Sequence, residues 1–206
     1  MTTATDRLVW IDCEMTGLDL EQDRLVELAI VITDYDLNIV DPGLDIVIAA
    51  DEAVLEQMGD FVRAMHTESG LIDEIPNGVT VAEAERMTME YMAKHVPEGQ
   101  RPPLAGNTIG TDRAFLAKYM PNLDAQLHYR SVDVSSIKEL ARRWYPRVYF
   151  AAPEKAGGHR ALADILESIR ELEYYRKAVF VAEPGPTSVQ AKEVAARVVS
   201  SHEAKM

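Results

Sequence analysis

The sequence predicts a mixed α/β fold in which a central sheet is flanked by helices. Three observations lead to this prediction: early runs rich in Val, Ile and Leu, later segments with apolar residues at helical spacing, and turn residues between the two kinds of segment. With 206 residues, of which 47% are hydrophobic, the chain can bury one substantial core. We therefore expect one domain followed by a tail.

Five strands are predicted from runs of apolar residues bounded by turn residues. They cover residues 8–15, 25–34, 38–50, 103–107 and 128–134. The turn residues at 34–38 indicate that the second and third strands pair antiparallel. The fourth strand is a short apolar run that ends at a turn containing Gly110.

The helices are predicted from caps, breaks and periodicity. They cover residues 51–58, 60–67, 81–96, 111 or 112 to 120, 135–145 and 159–180. Thr80 and Glu83 have capping-box spacing at the start of the third helix, and Pro121 stops the fourth. The last helix repeats apolar residues at helical spacing, namely Leu162, Ile165, Leu166, Ile169 and Leu172. Residues 183–188 predict a linker, and the small side chains beyond it predict a weak helix with little buried surface.

Two carboxylates interrupt the first predicted strand. Asp12 and Glu14 lie one residue apart in an otherwise apolar run that contains Trp10. Strand side chains alternate between faces, so both acids project from one face, where burial and repulsion cost several kcal/mol unless cations or protons neutralise them. A hard divalent metal ion does so most directly. The alternative is an edge strand whose polar face meets water, but the apolar neighbours favour a metal site.

Composition and charge limit the possible functions. Cys13 is the single cysteine, no apolar stretch is long enough to cross a membrane, and residues 1–7 lack the features of a signal peptide. We expect no membrane association and a reducing, cytoplasmic setting. The 34 acidic and 21 basic residues give a net charge of −13, which opposes general attraction to long nucleic acids. Any nucleic-acid substrate is therefore expected to be short.

Three further residues lie near helix starts. Asp112 follows a predicted strand at the end where clefts form in α/β proteins, although it also has the position of an ordinary N-cap residue. Asp164 lies one turn into the last helix between apolar neighbours, where a surface acid is not expected. His159 follows two glycines and has local freedom, but a lone histidine at a helix start is more often a surface or capping residue than a base.

Taken together, these residues resemble the histidine-containing branch of the DEDD superfamily of 3′-to-5′ exonucleases. Three motifs resemble the oligoribonuclease family more specifically: residues 11–18 (IDCEMTGL), 106–112 (GNTIGTD) and 159–165 (HRALADI). The resemblance covers residues 8–180 and implies an RNase H-like α/β fold, a homodimer, and an enzyme that degrades very short RNA to mononucleotides. Residues 8–180 are then the expected exonuclease domain, and residues 181–206 a flexible C-terminal tail.

The resemblance implies roles for five residues in the chemistry. The four acids Asp12, Glu14, Asp112 and Asp164 would be the metal ligands, and four carboxylates balance the charge of two divalent cations. Ligation by oxygen alone favours Mg²⁺ or Mn²⁺ over Zn²⁺. His159 would act as the general base that accepts a proton from the attacking water.

The resemblance also implies a set of substrate-binding residues. Leu18 would wedge between bases, and Phe61 would stack on a base where the family's tryptophan is expected. Tyr129 would reach the site from the partner subunit and take part in both substrate binding and catalysis. A polar cluster would cap the 5′ phosphate: His66, Thr108, Arg130 and Ser135. Thr108 stands where a serine is usual. Each of these residues also has an ordinary interpretation as a loop hydrophobe, a core or interface aromatic, a capping residue or a salt-bridge partner.

Three other functions remain open from the residues alone. A related exonuclease of the same superfamily would act on single-stranded DNA or on tRNA 3′ ends, and comparing hydrolysis of short RNA with single-stranded DNA separates the two. A binding module that keeps the fold gains nothing from converging carboxylates. An acidic interaction protein keeps its charges solvated, so Mg²⁺ or Mn²⁺ would not stabilise it, whereas a carboxylate cluster gains thermal stability on metal addition.

Overall fold

The computed structural model of the chain describes residues 6–154 and 157–203. The strands of this part are β1 (Leu8–Met15), β2 (Leu25–Thr33), β3 (Leu44–Val47), β4 (Pro103–Gly106) and β5 (His128–Asp133). Its α-helices are α1 (Glu52–Glu56), α2 (Asp60–Glu68), α3 (Leu71–Glu74), α4 (Val81–His95), α5 (Gly110–Tyr119), α6 (Pro121–Gln126), α7 (Val134–Trp144), α8 (Pro146–Phe150), α9 (Ala161–Ala178) and α10 (Ser188–Glu203). A single 3₁₀ turn, Ile75–Asn77, follows α3.

The five strands form one mixed sheet in the order β3-β2-β1-β4-β5. β1 pairs antiparallel with β2, and β2 with β3, whereas β1, β4 and β5 run parallel. The predicted mixed sheet flanked by helices is therefore confirmed. Because parallel strands end at the same edge, the carboxyl ends of β1, β4 and β5 lie side by side, which is where ligand clefts form in such sheets.

Side-chain alternation along β1 divides the core between the two faces of the sheet. Val9 and Ile11 pack in a cluster with residues of α4 and α5, whereas Leu8 and Trp10 pack in a cluster with residues of α7 and α9. Trp10 also donates a hydrogen bond from Nε1 to Thr33 Oγ1 at 3.0 Å, which satisfies its one polar atom. The even-numbered positions that follow in β1 therefore project toward α9.

The third strand is shorter than predicted. Residues 38–50 were expected to form it, but β3 has four residues, and Ile39 and Ile48 form only isolated bridges on either side. Pro42 has no N–H to donate, and Gly43 has φ +98° in the left-handed region, so the chain turns there and cannot continue a ladder. The hydrophobic pattern alone did not reveal this break.

Two prolines begin helices that were not predicted. Pro121 ends α5 as expected but also occupies the first position of α6, and Pro146 does the same for α8. Proline is favoured at this position because the first N–H groups of a helix have no partner within the helix. The last long helix begins at Ala161, two residues later than expected.

The C-terminal tail contains the predicted helix. Residues 188–201 of α10 are exposed, in keeping with its small side chains. Among the described residues, none of the helices combines the length and the apolar character needed to span a membrane.

Candidate active site

Three carboxylates converge where the carboxyl end of β1 meets the first turn of α9. Asp12, Glu14 and Asp164 each offer an oxygen, and these oxygens all lie within 4.8 Å of one another. The strand supplies the first two through its alternation. The helix supplies the third, because the neighbouring Ile165 is buried in the core cluster on that face and fixes the orientation of α9. The alternation of side chains along β1 and the packing of α9 therefore bring the three carboxylates together.

This group is electrostatically unfavourable without cations. Burial, together with the negative charges of Glu27, Asp164 and Asp112, raises the pKa of Glu14 to about 8. Burial and the charges of Asp112, Glu14 and Asp164 also raise the pKa of Asp12 well above its ordinary value. In the metal-free protein, bound protons therefore neutralise these carboxylates, as divalent cations would on binding. The donors are all carboxylate oxygens, which suits a hard divalent cation.

The fourth predicted ligand lies beside this group but outside it. Asp112 is buried in the first turn of α5, and its Oδ1 accepts a hydrogen bond from the backbone N–H of Cys13 at 3.1 Å. That N–H lies between the two acids of β1, so the bond ties α5 to the strand at the site. Burial raises the pKa of Asp112 to about 6.

His159 lies on the exposed segment that leads into α9. Its backbone has φ +47°, in the left-handed region. Burial lowers the pKa of His66, and the hydrogen bond to the Met15 carbonyl opposes this. His66 Nδ1 is 3.9 Å from Glu14 Oε2. His159 lies two residues before α9, the helix whose first turn carries Asp164.

Comparison with known proteins identifies the family of the chain. The model of the exonuclease family matches residues 9–172. The chain belongs to this family. An oligoribonuclease of Leifsonia xyli is 68% identical over 206 residues, 100% of each chain, and one of Streptomyces griseus is 59% identical over 193 residues, 94% of this chain and 96% of that relative. These relatives place the chain among the oligoribonucleases of the exonuclease family.

Solved exonucleases share the fold at low sequence identity. Exonuclease I of Methylocaldum szegediense has a TM-score of 0.63 at 18% identity over 84% of this chain, and the zinc-bound E. coli exonuclease I complex with single-stranded DNA has 0.65 at 14% over the same share. In both cases the match spans about two fifths of the solved chain, 41%. These structures confirm the RNase H-like exonuclease fold.

In this exonuclease-family chain, the two predicted base-contacting side chains are both outside the core. Leu18 and Phe61 have 75% and 79% of their surface exposed. The turn that carries Leu18 is fixed by Asp23, which accepts hydrogen bonds from Thr16 Oγ1 at 2.9 Å and from the backbone N–H of Asp19 at 2.8 Å. A Cβ on Gly17 would lie 2.4 Å from Asp23 Oδ2, so only glycine fits beneath this carboxylate.

The residues predicted to cap a 5′ phosphate do not form one hydrogen-bonded cluster. Thr108, which has φ +62°, donates its N–H to Asp133 Oδ1 at 2.9 Å, and Ser135 Oγ donates to the same carboxylate at 2.8 Å. The Arg130 guanidinium lies over the ring of exposed Tyr129, 5.3 Å from its centroid. Thr108 and Ser135 follow the carboxyl ends of β4 and β5, whereas Tyr129 and Arg130 are the second and third residues of β5, near its amino end.

His66 differs from the other predicted cap residues. It is fully buried in α2, and its Nε2 forms a hydrogen bond with the carbonyl oxygen of Met15 at 2.8 Å. Its contact with Glu14 places it against the carboxylate group. This position gives His66 a direct structural part in fixing the end of β1.

Two further residues near the site were not singled out from the sequence. Glu27 is fully buried in β2, where it pairs in register with Glu14, and Arg160 Nε donates to its Oε1 at 2.7 Å. The sequence does contain a signal for Glu27, because this residue is an acid inside an apolar strand, as Asp12 is. Its partner could not be found from β2 alone, since Arg160 lies 133 residues away.

Proposed function

We propose that this chain is a 3′-to-5′ exoribonuclease that degrades very short RNAs, dinucleotides above all, to nucleoside 5′-monophosphates. The observation that carries the proposal is the convergence of Asp12, Glu14 and Asp164 in a chain whose full-length relatives are named oligoribonuclease. The exonuclease unit is assigned to residues 8–180, with residues 181–206 as a tail, and a cytoplasmic setting is proposed. The family match over residues 9–172 supports this boundary.

We assign two divalent cations, Mg²⁺ or Mn²⁺, to the carboxylates. The residues that would hold them are Asp12, Glu14, Asp112 and Asp164. Bound there, such cations would activate water, stabilise the charge that develops on the phosphate and assist departure of the 3′ oxygen. The raised pKa of Glu14 supports the assignment, because a site that holds protons against burial and repulsion gains from a cation.

The chain's own side chains supply the remaining steps. His159, on the exposed segment before α9, accepts the proton of the attacking water through its imidazole. Leu18 and Phe61 hold the bases from two sides, because both present exposed apolar surface next to the turn and helix that border the site. Arg130 attracts the 5′ phosphate, together with the polar groups of Thr108, Ser135 and His66.

The direction of degradation and the sugar preference test this proposal against its nearest alternative. RNA and single-stranded DNA of equal length, each labelled at the 5′ end, are incubated with the protein and Mn²⁺, and the labelled products are resolved with time. A 3′-to-5′ exoribonuclease shortens the labelled RNA stepwise and leaves the DNA largely intact. A related exonuclease for DNA degrades both, and immediate release of a labelled mononucleotide contradicts the proposed direction.

A homodimer is proposed from an exposed apolar face. Large apolar side chains with exposed fractions between 45% and 80% lie on β5, on α7 and α8 and between these two helices: Tyr129, Leu140, Trp144, Tyr145 and Phe150. β5 is also an edge strand of the sheet, so its outer side is available for contact. A second copy seated on this face would bring its Tyr129 toward the neighbouring site.

Replacing Trp144 with glutamate is expected to convert a dimer into a monomer and to lower turnover of a two-nucleotide RNA. A charge at this position, 66% exposed in one chain, would be buried without a partner in the dimer. Analytical ultracentrifugation measures the change. Val189→Glu is the matched control, because Val189 is also 66% exposed but belongs to α10 and not to β5, α7 or α8. Sedimentation of the wild-type chain as a monomer contradicts the dimer.

A further inference from the structure

Glu27 is a buried acid that the proposed chemistry does not use. It is fully enclosed and lies next to Glu14 across the β1–β2 ladder, yet both of its oxygens bind groups on the segment that enters α9. Oε1 accepts from Arg160 Nε at 2.7 Å, and Oε2 accepts from the backbone N–H of Ala161 at 2.8 Å. A buried charge persists only with such partners, so Glu27 fastens residues 160 and 161 to the sheet.

Arg160 extends this attachment to further elements. Its Nη1 and Nη2 donate to Glu74 Oε1 at 2.8 Å and Oε2 at 3.2 Å, and Nη2 lies 4.0 Å from Asp45 Oδ2. One guanidinium therefore joins β2, the end of α3 and β3 through a planar fork that lysine cannot reproduce. Glu27, Glu74 and Asp45 together hold the Arg160 guanidinium in one position.

The residue directly before Arg160 is His159. On its other side stand Gly157 and Gly158, which are exposed and give the chain little restraint. The φ of +47° at His159 is unfavourable for a residue with a side chain and persists only when the surroundings impose it. Arg160 is the anchored neighbour that can impose it, because consecutive Cα atoms are a fixed distance apart.

We propose that Glu27 and Arg160 are positioning residues that hold His159 in place at the entry to α9, the helix whose first turn carries Asp164. The inference rests on the proposed function, in which His159 accepts a proton from the attacking water. Asp164 depends less on the pair, since its neighbour Ile165 packs in the core. The pair therefore acts on catalysis through His159.

The test is a double-mutant cycle on turnover. Arg160→Ala is expected to lower kcat on a two-nucleotide RNA by about 100-fold with little change in KM, because a small misplacement of a reacting group has an effect of that order. In a His159→Ala background, the same substitution is expected to lower kcat by less than about two-fold, since the positioned group is gone. Arg86→Ala is the matched control, because Arg86 also binds two acids, Glu83 and Glu90, but lies exposed on α4.

A second variant separates a loss of positioning from a loss of folding. Arg160→Lys keeps a positive charge beside Glu27 but loses the fork to Glu74, so kcat is expected to fall by an intermediate factor while the protein remains folded by thermal melting. An additive loss in the His159→Ala background, or unchanged kcat in Arg160→Ala, overturns the inference while the activity of the wild-type chain upholds the proposed function. Failure of the wild-type chain to hydrolyse the dinucleotide overturns both.

Discussion

Replacing His159 with alanine is expected to lower kcat on a two-nucleotide RNA by about 100- to 10,000-fold, the range for loss of a general base. KM is expected to stay within a few-fold of the wild-type value, because His159 is exposed and is not among the residues assigned to bind the bases. Steady-state kinetics with saturating Mn²⁺ measure both quantities. Melting temperature in the same buffer checks that the fold is intact.

His95→Ala provides the control for this result. His95 ends α4, where its ring lies 4.8 Å from that of Tyr91, and it belongs to none of the assigned groups. The control is expected to keep wild-type turnover. Near-normal kcat in His159→Ala would remove His159 from the proposed chemistry, and a large rise in KM with unchanged kcat would assign it to substrate binding instead.

Replacing Glu14 with glutamine is expected to abolish most turnover and to remove most of the thermal stabilisation that Mg²⁺ or Mn²⁺ gives the wild-type chain. Glutamine has nearly the same shape but no charge, so it weakens the hold on a divalent cation while keeping the packing. Melting temperatures with a chelator and with each metal measure the difference. Glu52→Gln, at an exposed position in α1, is the control and is expected to keep the full metal effect.

The same variant tests the electrostatics of the metal-free site. The pKa of Glu14 is raised from its ordinary value of 4.5 to about 8, so between these values the folded state holds a proton that the unfolded state has lost. The free energy of unfolding of the metal-free protein therefore falls as the pH rises from about 4.5 to about 8 and then levels off.

Glutamine does not titrate, so the Glu14→Gln variant lacks the fall in the free energy of unfolding that Glu14 causes as the pH rises. With a chelator present, the melting temperature of the variant minus that of the wild-type chain is expected to be larger near about pH 9 than near about pH 5. A difference that does not change with pH would contradict a raised pKa at this position.

Local patterns were sufficient to predict the part of the site carried by β1. The strand follows from its apolar residues, and the shared face of Asp12 and Glu14 follows from alternation alone. The start of α4 was equally local: Thr80 caps it by accepting a hydrogen bond from the N–H of Glu83 at 3.2 Å, as the spacing indicated. The motif resemblance then pointed to Asp164 on α9, which the structure brings into the group, and to Asp112 on α5, which lies beside it.

The remaining features depend on contacts between distant segments. The bond from the Cys13 N–H to Asp112 joins residues 99 apart in sequence, and no periodicity reports such a contact. The burial of His66 against Met15, 51 residues away, is of the same kind, and it separates this residue from the surface groups with which it was predicted to act. Glu27 differs from these two residues. It is visible in the sequence as an acid in an apolar strand, but its role depends on its contact with the distant Arg160.

The net charge of −13 gives the short-RNA proposal a physical basis. Repulsion from an acidic surface opposes a long polyanion, whereas one short RNA meets mainly the cation site and Arg130. Neutralising surface acids far from the site would then strengthen binding of long RNA. The length preference is thus expected to arise from the whole surface as well as from the side chains that contact the bases.

The most direct measurement of the central claim is kcat/KM for a series of 5′-phosphorylated RNAs from two to about 20 nucleotides, each with Mg²⁺ and with Mn²⁺. We expect the highest value for the two-nucleotide RNA and a steep fall with length, together with a loss when its 5′ phosphate is removed. Equal values across the series, or values that rise with length, would contradict the proposal that this carboxylate site serves very short RNA.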